Sequence, residues 1–292
     1  MANTLVNGTQ LASAMIGGLY DAGVLTGTVW KDPGFSGIAG KGSTVNVRKL
    51  GIQAATNFAG TATATDLAET TVPVVLSHQP YVQSTVSTAE SSMRVEDFYA
   101  QVIFPGIAGV AEYLDAQVAA ALAGVATTAV SGANAKAALI AAHTALTEAK
   151  VPMADRYFAA SPGFLATMLG ESWIQADTLG DGGNALRSAV VGRAFGFTIV
   201  ESTHIADADL GGSVAVDSVG YAYHKTGILM ASRVPNPPQG GADAATASAL
   251  GYGARVVSDW SSTALSDIIT IDTLAGFAAD DVKVVPTYIP GA

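Results

Sequence analysis

Residues 43 to 87 constrain this chain more than any other stretch. "STVNVRKL" (43–50) sets Val45, Val47 and Leu50 among polar neighbours and reads as a strand. "TTVPVVLSHQPYVQSTVS" (70–87) is β-branched and apolar but carries Pro73 and Pro80, and proline cannot donate to a ladder. Its strands are therefore expected at an edge or with a bulge. Residues 51 to 69 between them are mostly small or threonine and offer no core. The whole reads as a long two-stranded arm that cannot bury its own faces. Such a ribbon is marginal alone in water, so it must lie on another surface, such as a neighbouring subunit.

Composition supports the same need for partners. The chain has 292 residues, enough for roughly two domains and a full core without metal or disulfide help. Hydrophobic residues make up 49% and charged residues 13%, the latter about half the usual share. So few ionic groups imply extensive surface buried against other chains. Fourteen Lys and Arg against 24 Asp and Glu leave a net charge of −10, which excludes binding nucleic acid by broad phosphate neutralisation. The absence of cysteine excludes disulfides, thiolate nucleophiles and Cys-ligated metals and fits a cytoplasmic origin. "MANTLVNGTQ" lacks the features of a secretory signal, and the charge-free run between Asp115 and Lys136 is too weakly apolar for a membrane span. No membrane association is expected.

Helical periodicity marks three regions. Thr9 can cap a short helix with Leu11, Met15 and Leu19 on one face, ended by Gly23. Residues 94 to 123 carry the longest stripe, Ile103, Ile107, Val110, Leu114, Val118 and Ala121, with Glu112 and Asp115 off it. Pro105 should kink that helix or begin its main segment. A further helix spans about Ala133 to Lys150, with Leu139, Ile140, His143 and Leu146 near one face. Beyond Val151 the texture is mixed: a strand at "RYFAAS", a helix from Pro162 or Gly163, the loop "TLGDGGNAL", then "GRAFGFTIVESTHI" (192–205). "PNPPQGGADAATAS" (235–248) reads as a loop, and "YGARVVSDW" and "SDIITIDTL" close the fold. The fold class is α+β.

No motif supports catalysis or a cofactor. Gly37 to Thr44 resembles a phosphate loop, but Phe35 stands where the first glycine belongs, Gly42 follows Lys41, and a strand rather than a helix comes next. His78, His143, His204 and His224 are scattered without metal-ligand spacing. Asp207 and Asp209 lack the rest of a calcium loop. There is no GxSxG elbow, and spacing gives pairs such as Glu171 with Asp177 no support over solvated surface. Within 192–205, Arg193, Glu201, Ser202 and His204 look catalytic. Alternation instead puts Phe195, Phe197, Ile199 and Glu201 on one strand face and Gly196, Thr198 and Val200 on the other, which describes a structural strand.

The order of these parts carries a resemblance. "MANTL" with its helix, "GSTVNVRKLG", "LDAQVAAAL", "VPMADRYFAASPGFLATML", "GRAFGFTIVESTHI", "YAYHKTGILMAS" and "GYGARVVSDWSSTALSDIITIDTLAGF" follow in turn. Nearly end to end, the chain resembles the major capsid (coat) proteins of tailed bacteriophages with the Hong Kong 97-type fold. Within them it is most similar to the branch that assembles with a separate scaffolding protein. The most specific pieces are the block Gly196 to Ile205 and "RVVSDWSS". The family's RxxxDYD-like ending stands here as Arg255, Asp259, Trp260 and Ser261, a departure from the pattern.

The resemblance implies a layout: an amino-terminal arm (1–42), an extended loop or β-ribbon (43–87), a peripheral domain with a spine helix (88–150), an axial domain (151–228) and a return to the peripheral domain (229–292). It implies a structural subunit, not an enzyme. Such subunits form hexamers and pentamers that enclose double-stranded DNA in a virion, without cofactor and without sequence-specific DNA binding. Implied partners are further copies, a scaffolding protein, a portal and a decoration protein. Candidate assembly contacts are Leu11, Met15, Leu19, Arg48, Lys49, Asp66 and Glu69. Lys41 and Lys49 read as solvated or ion-paired rather than as crosslinking residues. An encapsulin-like cellular compartment shell is the alternative on the same fold. An α+β enzyme with an unrecognised site, or a secreted adhesin, is the alternative outside it.

Overall fold

Among the described residues, three sheets and a ribbon organise the chain, and helices close two of the sheets into cores. The computed structural model describes residues 8–32, 40–50, 55, 57, 60, 69–87, 104–171, 192–208, 210, 217–238, 243–263 and 266–291. The architecture is α+β. Helices α1 (Gly8–Ala22), α2 (Phe104–Ala123), α3 (Ala135–Glu148) and α4 (Pro162–Leu169) alternate with the strands. Of the longest expected helix, residues 94 to 103 lie outside the described residues. Pro105 sits in the first turn of α2, where a missing N–H leaves no bond unmade.

The ribbon pairs β2 (Thr44–Leu50) with β3 (Glu69–Val75), antiparallel from Thr44 opposite Val75 to Leu50 opposite Glu69. A two-stranded ladder leaves an open edge on each strand, so Pro73 is tolerated in β3. The expected ribbon of 43–87 is too long on its return side. β4 (Tyr81–Ser87) leaves it and becomes the edge of a four-stranded sheet beside β13 (Ser266–Asp272), β12 (Tyr252–Ser261) and β11 (Asp243–Ala249). The chain crosses over at His78, which bridges Ala275, and Val82 then turns inward against Gly106 and Gly109 of α2. Packing on the helix decides the partner. Strand β11 also corrects the reading of 235–248 as loop; it joins β12 through Leu250 and Gly251, both at positive φ (54° and 79°), as a two-residue hairpin turn requires.

A three-stranded sheet orders β1 (Trp30–Lys31), β10 (Ile228–Arg233) and β14 (Leu274–Ala279). The ribbon root lies on it: Val74 and Leu76 are buried with Leu229, Ala231 and Leu274. Part of the surface that the ribbon needs is thus supplied by its own chain.

The six-stranded sheet orders β5 (Val130–Ser131), β15 (Val284–Ile289), β9 (Ser218–His224), β6 (Arg156–Ala160), β8 (Phe197–Glu201) and β7 (Arg193–Ala194). Alternate residues of its strands serve two cores. Phe158, Ala160, Ala222, Val285 and Ile289 pack with α3 and α4, whereas Ala159, Val219, Tyr221, Tyr223 and Val284 join the core of α1 and α2. Burial on both faces explains why "SVGYAYH" has no polar face. Helix α3 packs on this sheet through Val285 and Ile289 of β15, while Val284 of the same strand faces the core of α1 and α2. Phe195 also departs from expectation. Instead of sharing a strand face with Phe197 and Ile199, it forms the β7–β8 turn with Gly196, at φ 48° and 84°.

Candidate assembly surfaces

The ribbon carries Arg48, Lys49 and Glu69 of the predicted contact residues. Arg48 Nη2 lies 2.9 Å from Glu69 Oε2 across the ladder, with the Arg48 side chain 70% exposed. Lys49 Nζ donates to Asp280 Oδ1 at 2.8 Å, tying the ribbon to the segment before β15. Lys283 adds a second cation 3.3 Å from the same carboxylate and also donates to Thr226 Oγ1 at 3.0 Å. Burial pushes the Asp280 carboxyl up, but the Lys49 hydrogen bond and the charge of Lys283 outweigh it and hold it below its ordinary value. Beneath the ribbon, Trp30, Val47, Val72 and Leu229 line a cleft of about 230 Å³. Asp66 lies outside the described residues.

The stripe of α1 is used within the subunit. Met15 and Leu19 are fully buried beside Ala12 and Ile16, against α2 and the four-stranded sheet; the Leu11 side chain lies outside the described residues. The outer face presents Tyr20, 53% exposed, followed beyond the helix by Val24. What fixes this helix is a residue that periodicity placed wrongly. Asp115, expected off the stripe of α2, is buried at 4% exposure. Its Oδ2 accepts the N–H groups of Val24 (2.7 Å) and Leu25 (3.2 Å), and its Oδ1 that of Thr26 (2.8 Å). The turn after α1 is thereby bonded to the middle of α2. Nearby, Lys31 Nζ lies 4.1 Å from the centroid of the Tyr252 ring, and burial lowers its amine to about 8 despite the charge of Asp115.

The polar residues that looked catalytic have structural partners or open surroundings. Glu201, Ser202 and His204 border an open cleft of about 440 Å³ with Glu112 and Asp115. The Ser202 Oγ accepts the backbone N–H of His204 at 3.3 Å. His143 packs edge-on to Phe197 and His78 against Tyr113 and Phe277, while His224 caps the turn Lys225–Gly227 through Nδ1. Asp207 bonds Ser161 Oγ and the N–H of Val219; Asp209 lies outside the described residues, as does Asp177. Glu171 is no solvated carboxylate, since it accepts the first N–H groups of α3 from Ala135 (2.5 Å) and Lys136 (3.4 Å). Arg255 makes a two-pronged pair with Asp272, Nε to Oδ1 at 2.9 Å and Nη2 to Oδ2 at 2.5 Å. Among the described residues no three His, Asp or Glu side chains gather as metal ligands.

No family model and no curated protein matches this chain. Solved structures do. The chain is similar to a structure from Mycobacterium phage Che8, at 19% identity and a TM-score of 0.61 over 90% of each chain. It is similar to the capsid of Ralstonia phage GP4, at 11% identity and a TM-score of 0.62 over 89% of this chain and 87% of that one. It is also similar to the capsid of an empty GTA particle, at 12% identity and a TM-score of 0.57 over 92% and 90%. The chain has the Hong Kong 97-type capsid fold. As a Hong Kong 97-type chain it matches these structures over nearly its whole length, so the likeness extends beyond any one sheet or helix pair.

Proposed function

We propose that this chain is the structural subunit of an icosahedral viral capsid, self-assembling into hexamers and pentamers around double-stranded DNA. One observation carries the reading: about nine-tenths of the chain shares its fold with about nine-tenths of chains from phage and GTA capsids. The ribbon adds support, because it exposes the Arg48 side chain of the Arg48–Glu69 pair. In this reading the six-stranded sheet with α3 and α4 forms the axial domain, and α2 with the four-stranded sheet the peripheral one. The ribbon is the extended loop, and Arg48, Lys49 and Glu69 lie on its contact surface. Large shared interfaces between identical copies supply the stability of the shell. The net charge of −10 suits a container that holds DNA without gripping it by sequence. A scaffolding protein, a portal and a decoration protein are its partners, and the virion is its location.

The test is electron microscopy of the chain expressed alone and with its neighbouring genes. Closed shells or capsomer rings are expected in one preparation or the other. A monodisperse monomer in both would overturn the reading.

A further inference from the structure

The cleft between the ribbon root and the three-stranded sheet has an apolar floor. Val47 and Val72 stand opposite each other across the ladder, and Trp30 of β1 and Leu229 of β10 complete the lining. Leu229 is buried, whereas Trp30, Val47 and Val72 are only partly so. The cleft of about 230 Å³ has room for about seven waters, but apolar side chains offer water few partners.

Its edge is cationic. Alternation along β2 puts Lys49 on the strand face of Val45 and Val47, and its Nζ donates to Asp280 Oδ1 at 2.8 Å. Lys283 Nζ lies 3.3 Å from Oδ2 of the same carboxylate. Two ammonium groups thus share one carboxylate, and among the described residues neither has a second anionic partner. Arg48, the other cation at the cleft, is matched by Glu69. One positive charge is left over beside the apolar floor, in a chain of net charge −10. Each ammonium has three donors, so both can keep Asp280 and still donate to a second anion. Burial pushes the Asp280 carboxyl up, yet the Lys49 hydrogen bond and the charge of Lys283 hold it low, as an excess of positive charge requires.

We infer that this cleft binds an apolar monocarboxylate, such as a medium-chain fatty acid, with its chain on Trp30, Val47, Val72 and Leu229 and its carboxylate between Lys49 and Lys283. A neutral apolar molecule leaves the extra charge unmatched, and a small polar anion gains nothing from the floor. An acid with an apolar body satisfies both, through charge-assisted hydrogen bonds at one end and displaced water at the other. The inference goes beyond the capsid-subunit reading and does not depend on it.

The experiment titrates dilute, unassembled subunits with octanoate, hexanoate, acetate and octylamine, followed by ligand-observed NMR. Octanoate should bind saturably with a Kd of about 1 mM. Hexanoate lacks two CH₂ groups and should bind about tenfold more weakly. Acetate, without the body, and octylamine, with the opposite charge, should not saturate. Lys49→Met and Lys283→Met should each weaken octanoate about tenfold, and Val47→Asp, which sets an anion in the floor, should abolish binding. Circular dichroism confirms that each variant is folded. Octanoate that fails to saturate, octylamine that binds as well, or octanoate binding unchanged in the folded variants would overturn the inference. If the variants do not fold, the comparison of octanoate with octylamine on the wild type decides. Because the subunits are unassembled, the outcome is independent of whether the chain forms shells.

Discussion

Replacing Asp115 with alanine should destabilise the subunit more than any surface change, although among the described residues no cation pairs with its side chain. The substitution removes the acceptor of three N–H groups. That of Val24 borders the open cleft, where water can replace the carboxylate. Those of Leu25 and Thr26 are buried, and each unsatisfied buried donor costs about 1–3 kcal/mol. Two of them give about 4 kcal/mol. Removing a buried carboxylate also relieves its own desolvation, so the net loss should be about 3 kcal/mol. For a chain of this size that lowers the melting temperature by about 6–12 °C. Asp115→Asn keeps one oxygen and the volume and should lose about half as much. Thermal unfolding followed by circular dichroism on dilute, unassembled subunits measures both. A loss below about 1 kcal/mol for Asp115→Ala would refute the claim that this carboxylate holds α1 to α2.

Other consequences are equally direct. Gly220→Ala places a Cβ 2.3 Å from Phe158 Cζ and should cost about 1–3 kcal/mol of stability, measurable by urea unfolding. The Asp280 carboxyl is held below its ordinary value, so its contribution is present above the normal carboxylate range and is lost as pH falls through its depressed folded value. Lys49→Ala should therefore flatten the fall in stability on the acid side of about pH 4, read from melting temperature against pH. Lys31 titrates near 8 instead of 10.5. The unfolded chain then holds more protons between those values, so wild-type stability should rise with pH across that window. Lys31→Met should abolish the rise.

Much of this fold was legible because its elements are locally patterned. Ile107, Val110, Leu114 and Val118 recur at helical spacing and are buried as a stripe. The ribbon's need for outside support followed from its lack of a core. Its true length did not, because β4 is claimed by α2 and β13, contacts of long sequence separation. Asp115 was illegible for the same reason: its partners lie 89 to 91 residues away, and periodicity registers burial of apolar groups alone. Glu171 is alike, capping α3 from 35 and 36 residues downstream of its first N–H groups. Phe195 misled because a non-glycine residue at positive φ in a hairpin turn leaves no mark in hydrophobic alternation.

The central claim is that this chain builds a closed shell from copies of itself. The most direct measurement is the mass of the purified particle by light scattering, paired with electron cryomicroscopy of the same sample. The account predicts closed particles of more than about sixty subunits, because twelve five-fold rings alone use that many and the six-fold rings of the fold described above add to them. A single species at the mass of one subunit, under every salt and concentration tried, would contradict it.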